Sequence, residues 1–126
     1  MDSPLIDTLV ERLNGLMPRV AIVLGSGLGS LVDEVEQAIK IPYSELPGFP
    51  VSAVSGHAGQ LVAGFMSGEP VILLSGRVHY YESGDAAAMR PIIAAMAGLG
   101  VRSLILTNAA GSVRDDMPPG SVMQIS

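Results

Sequence analysis

Apolar and polar positions change their period several times along the chain, and each change marks an element. Leu5, Leu9, Leu13 and Leu16, joined by Ile6, Val10 and Met17, recur at helical spacing. Ser3-Pro4 ahead of them offers a capping hydroxyl and a first-turn proline, and Pro18 closes the predicted helix. Val20-Ala21-Ile22-Val23-Leu24 is apolar without alternation and bounded by Pro and Gly, which predicts a strand buried on both faces. After the turn Gly25-Ser26-Gly27-Leu28-Gly29-Ser30, a short helix is predicted over 31–37 and an edge strand over 39–41, ended by Pro42. Residues 44–59 are rich in Ser, Gly and Pro and read as a long loop. Two strands, 60–65 and 70–74, flank the turn Ser67-Gly68-Glu69. Asp85 caps a predicted helix running to 99, with Pro91 near its first turns as a tolerable kink and Gly98 and Gly100 at its end. Residues 101–106 predict another buried strand, 107–120 a loop, and 122–125 the start of one more strand.

This order of strands and helices predicts an α/β fold: a central mixed, largely parallel sheet flanked by helices. In such sheets ligands sit beyond the carboxyl ends of the strands. Gly25-Ser26, residues 75–81 and residues 107–111 each follow an apolar strand, so all three are expected to converge on one crevice.

Composition narrows the classes. With 126 residues and 48% hydrophobic positions, the chain fits one domain with a substantial core and not a disordered segment. The net charge of −5, with seven dispersed basic residues, gives no footprint for nucleic acid or a membrane surface. Any anion must therefore be held by a few local groups. The absence of cysteine excludes a disulfide scaffold and cysteine-based metal or redox chemistry. It suits the cytoplasm, which is the expected compartment. The most apolar long stretch, 86–101, is interrupted by Arg90 and Pro91 and is too short to span a bilayer, and the first residues lack the features of a signal peptide.

Four segments carry candidate chemistry. In Gly25-Ser26-Gly27-Leu28-Gly29, glycines let backbone N–H groups approach an anion, Ser26 adds a hydroxyl, and a helix following the turn would add its positive end. The same residues also suit a plain tight turn. A dinucleotide fingerprint is disfavoured, because its third glycine position holds Ser30. In Gly76-Arg77-Val78-His79-Tyr80-Tyr81-Glu82, an extended backbone would put Arg77, His79 and Tyr81 on one face. Arg77 presents a planar fork suited to phosphate, His79 a second donor, and Tyr81 a flat surface with a hydroxyl. A solvated strand end with an Arg77–Glu82 ion pair is the other reading. His57, between Gly56 and Gly59, is either a gated acid or a surface histidine. Thr107-Asn108-Ala109-Ala110-Gly111 has small side chains that let a ligand touch backbone, with the Ala109 N–H available to an anion and Ala110 and Gly111 able to floor a flat base. Two histidines and no cysteine argue against a zinc site. Asp33, Glu34 and Glu36 read as a solvated acidic face, and Asp115-Asp116 is assigned no chemistry.

Taken in order and spacing, these four segments resemble the trimeric purine nucleoside phosphorylases, over nearly the whole chain from Val20 onward. The resemblance implies phosphorolysis of purine ribonucleosides or deoxyribonucleosides to a free purine and (deoxy)ribose 1-phosphate. It implies phosphate held by Ser26, Arg77, His79 and the Ala109 backbone. Tyr81 would pack on the ribose, with His57 near the 5′-hydroxyl and phosphate, and Ala110 and Gly111 would line the purine; His57 and His79 are the catalytic candidates. Inorganic phosphate is a co-substrate, no cofactor or metal is expected, and the complete protein is expected to be a homotrimer. Ser83 and Ser112 stand where the family often has Gly. The family is also longer: its purine-binding Glu and Asn, a further phosphate-binding Ser and a second histidine come from a later half. Residues 1–126 are therefore expected to be the amino-terminal part of a single domain, with the sheet cut short and no activity alone. A non-catalytic phosphate- or nucleoside-binding fragment and a methylthioadenosine phosphorylase, from the same superfamily, are the alternatives.

Overall fold

The computed structural model describes residues 4–25, 27–49, 59–76, 89–108 and 111–125. Helix α1 (Pro4–Leu13) is followed by strand β1 (Val20–Leu24), a 3₁₀ turn (Gly29–Glu34), strand β2 (Glu36–Pro42) and a second 3₁₀ turn (Tyr43–Glu45). Strands β3 (Gln60–Met66) and β4 (Glu69–Ser75), helix α2 (Arg90–Gly98) and strand β5 (Ser103–Leu106) complete the order among the described residues.

The five strands form one mixed sheet in the order β2-β3-β4-β1-β5. β1 is parallel to both β4 and β5, whereas β3 is antiparallel to β2 and β4. The alternation of side chains across the pleat divides the core in two. Ala21 and Val23, Leu61 and Ala63, and Ile72 and Leu74 face the main cluster, where Leu5, Leu9 and Leu13 of α1 and Ile92, Ala95 and Met96 of α2 cover them. Leu24, Val62 and Leu73 face the other way, against Val35 and the partly buried Leu31 and Val32. The residues between β1 and β2 thus close the second face, and α1 and α2 close the first.

Local chemistry explains where the elements stop. α1 ends at Leu13, short of Pro18, because Asn14 and Gly15 take φ of 50° and 90°. Pro91 occupies the first turn of α2, where its missing N–H costs nothing, so it starts the helix and does not kink it. The helix expected over 31–37 is instead the 3₁₀ turn, since Val35 is already extended and β2 begins at Glu36. β2 is the expected edge strand, longer than 39–41. The loop expected over 44–59 is partly a core element: Leu46 and Phe49 are buried beside Tyr43.

Two expectations fail at the other edge. β5 was expected to be buried, yet all four of its residues are exposed, with Leu106 at 64%. The strand expected over 122–125 is absent, and Val122, Met123 and Ile125 are exposed without regular structure. An apolar run signals burial only when another element covers it, and these runs are left exposed. Ser3, expected as the cap of α1, and Asp85, expected as the cap of the later helix, lie outside the described residues.

Candidate functional site

Strand register fixes which segments meet. Leu24 of β1 lies beside Ser75 of β4, and Val23 lies beside Leu106 of β5. The chain therefore leaves β1 at Gly25, β4 at Gly76 and β5 at Thr107 from one edge of the sheet. β3 runs the opposite way and enters at that same edge, with Gln60 opposite Ser75. Gly59, the last residue of the Gly56-His57-Ala58-Gly59 segment, is thereby a fourth arrival. The convergence expected of three segments is observed for their roots, and the hairpin adds the fourth. An antiparallel partner always brings its amino end to the carboxyl end of its neighbour, so the turn at Ser67-Gly68 was the signal for this.

Hydrogen bonds lock these roots together in pairs. Thr107 holds the turn after β1. Its Oγ1 accepts from the Gly25 N–H at 2.9 Å and donates to the Val23 carbonyl at 2.7 Å. The Thr107 N–H donates to that same carbonyl at 3.1 Å. Gly25 is pressed against the backbone here: a Cβ on it would lie 2.7 Å from the Asn108 Cα and 2.8 Å from the Thr107 oxygen. The turn is closed by the Leu28 N–H donating to the Gly25 carbonyl at 3.3 Å, with Gly27 at φ 85°.

Tyr43 holds the other pair. Its buried phenol donates to the Gly76 carbonyl at 2.6 Å, and its own N–H donates to the Gly59 carbonyl at 3.1 Å. The ring lies against Gly59 so closely that a methyl there would overlap it, and it also packs on Phe49 with centroids 4.6 Å apart. Burial pushes the Tyr43 hydroxyl well above the ordinary tyrosine range, so it stays a neutral donor. Tyr43 has no sequence signal, because a lone aromatic before a Ser-Glu pair carries no pattern of its own.

Of the residues expected to contact ligand, Gly111 is described; it is exposed and in a segment without regular structure. Ser26, His57, Arg77, His79, Tyr81, Ala109 and Ala110 lie outside the described residues, as does Glu82. The helix end expected to reinforce the glycine turn is not there: a six-residue 3₁₀ turn follows, so backbone N–H groups and hydroxyls are what that turn can offer an anion. Among the described residues no group of acidic, His or Cys side chains could hold a metal ion, and no charged or polar residue is buried. Asp33, Glu34 and Glu36 are exposed, as expected. Asp116 forms a surface pair with Arg114, its oxygens 2.8 and 2.7 Å from Nε and Nη2, and this holds its carboxyl below the usual range.

Sheet and edge together define an α/β chain that gathers glycine-bounded segments at strand ends, the usual place for a small polar ligand. The comparison with protein families is more specific: residues 19–126 match the Phosphorylase superfamily, and the chain belongs to that family. It is 53% identical over 109 residues to purine nucleoside phosphorylase 1 of Geobacillus stearothermophilus, covering 86% of this chain and 40% of that protein. Against the purine nucleoside phosphorylase of Bos taurus it is 42% identical, covering 86% of this chain and 37% of the relative. A crystal structure of purine nucleoside phosphorylase in complex with ribose-1-phosphate superposes with a TM-score of 0.82 at 37% identity, over 93% of this chain and 43% of that one. The chain thus spans about 40% of the length of the curated relatives it matches. The family is the one that the ordered motifs imply.

Proposed function

We propose that this chain supplies the phosphate and ribose half of a purine nucleoside phosphorylase site. The reaction is phosphorolysis of purine ribonucleosides or deoxyribonucleosides to the free purine and (deoxy)ribose 1-phosphate. The observation that carries the reading is the meeting of four segment roots, Gly25, Gly59, Gly76 and Thr107, at one sheet edge in a chain of this family. Each root leads directly into a segment whose residues suit the reaction.

In this reading Ser26, Arg77, His79 and the Ala109 N–H hold inorganic phosphate, which is a co-substrate; no cofactor is proposed. Tyr81 packs on the ribose, His57 serves its 5′ side, and Ala110 and Gly111 line the purine. Cleavage of the glycosidic bond builds positive charge on the sugar. A phosphate dianion fixed beneath it offsets that charge and is already aligned to attack. Hydroxyl, imidazole, guanidinium and backbone donors grip the anion without cancelling its charge. Residues 1–126 are proposed as the amino-terminal part of a single domain that works as a cytoplasmic homotrimer when complete.

The test is a titration of the 126-residue chain with inorganic phosphate by calorimetry, repeated on Arg77→Ala. Loss of the forked, charged donor should weaken phosphate by about ten- to a hundredfold. Equal affinity in the two proteins would remove Arg77 from the site and overturn the assignment.

A further inference from the structure

We infer that Thr107 is a positioning residue for the phosphate site, because its hydroxyl sets the distance and angle between the glycine turn after β1 and the segment after β5. The inference rests on the phosphate reading above and concerns a residue to which that reading gives no contact.

The geometry is a three-point latch. The Thr107 N–H extends the β1–β5 ladder by one bond, to the Val23 carbonyl. A ladder bond of this kind would be made by any residue but proline. The hydroxyl does what a side chain without one cannot: it donates to that carbonyl at 2.7 Å and accepts the Gly25 N–H at 2.9 Å. Beyond Leu24 the backbone of β1 has left the sheet, so the Gly25 N–H has no strand partner of its own. Thr107 provides one from the neighbouring strand. The absence of a side chain at Gly25 allows the close approach to Asn108 that this bond requires.

The consequence concerns two proposed anion donors that follow different strands in sequence. Ser26 is the next residue after Gly25, and Ala109 is two residues after Thr107. In the phosphate reading both must reach the same anion. A hydroxyl that binds Gly25 to Thr107 fixes the origins of both segments in one frame before ligand arrives, which reduces what ordering costs on binding. Threonine also suits the task because its branched Cβ restricts χ1 and holds the oxygen in place.

The experiment compares wild type, Thr107→Val and Thr107→Ser in the 126-residue chain, reading amide hydrogen exchange at Gly25 and phosphate affinity by calorimetry. Valine keeps the shape and removes the hydroxyl; serine keeps the hydroxyl. Thr107→Val is expected to lose about tenfold in Gly25 protection and about tenfold in phosphate affinity, and Thr107→Ser to stay within about twofold of wild type in both. Faster exchange in Thr107→Val with unchanged phosphate affinity would make the latch merely structural and overturn the inference, while leaving Arg77→Ala free to support the phosphate site. Failure of serine to restore affinity would overturn it as well. If wild type itself binds no phosphate, the parent reading fails and the positioning role falls with it.

Discussion

Tyr43 and Gly59 form a contact in which each residue is chosen by the other. The phenol reaches the Gly76 carbonyl with its ring pressed against a residue that has no side chain. Gly59→Ala should therefore push the ring outward and also crowd the Ser75 carbonyl, destabilising the chain by about 1–3 kcal/mol in urea unfolding. Tyr43→Phe keeps the packing and removes one donor, for which a loss of about 1–2 kcal/mol is expected. The phenol also makes a pH prediction. Burial raises its pKa in the folded chain above the unfolded value of about 10, so the folded state keeps a proton that the unfolded state releases. The contribution is fully present below pH 10 and declines above it, as pH rises toward the folded value, by up to about 1.4 kcal/mol per pH unit. Unfolding curves of wild type and Tyr43→Phe measured across pH 9 to 11 should converge as pH rises; a constant gap would show that Tyr43 does not titrate differently in the two states.

At the level of elements, the two margins of the sheet are unequal. β2 is a charged and polar margin, carrying Glu36, Gln37 and Lys40. β5 exposes Leu104, Ile105 and Leu106 and, among the described residues, pairs on one side only. An open, apolar strand edge is a template for association. The 126-residue chain should self-associate in sedimentation velocity, and Ile105→Lys should shift it toward monomer while changing stability by no more than about 0.5 kcal/mol. A monomeric wild type at high concentration would show that the edge is not sticky. This margin is also where the sequence misled. β1 was legible to its ends because proline and glycine frame its apolar run; Ala21, Val23 and Leu24 are buried, and Val20 and Ile22 half-buried. The hairpin of β3 and β4 was legible from its turn. β5 and the stretch 122–125 carry the same apolar signal, but burial is a property of pairs of elements, and one sequence segment cannot report its partner. The end of α1 differs for another reason: Asn14-Gly15 terminates a helix through positive φ as firmly as Pro18 does through its missing N–H, and it comes first in the chain.

At the level of the whole molecule, the edge and its chemistry were legible to different depths. Segments that each follow an apolar strand pointed to one end of the sheet, and the register bears out that convergence for the roots Gly25, Gly76 and Thr107. The roles of individual side chains came from resemblance, since spacing alone left a tight turn or a surface ion pair equally open. The locking residues Thr107 and Tyr43 were invisible, because hydrogen bonds across 82 and 33 residues leave no local pattern. The same division between edge and chemistry shapes the last prediction. The phosphate donors proposed for this chain follow strands that end at this edge, within a chain spanning about 40% of its relatives. Turnover needs more: the base must be held and its developing charge met while phosphate attacks, and a catalytic advantage of alignment vanishes when either reactant is free to drift. The 126-residue chain should therefore bind phosphate in calorimetry and release no hypoxanthine from inosine plus phosphate in a continuous absorbance assay. Phosphorolysis by the purified chain would show that the purine is held by groups within residues 1–126, and would move the base-binding role onto residues beyond Ala110 and Gly111 in this same stretch.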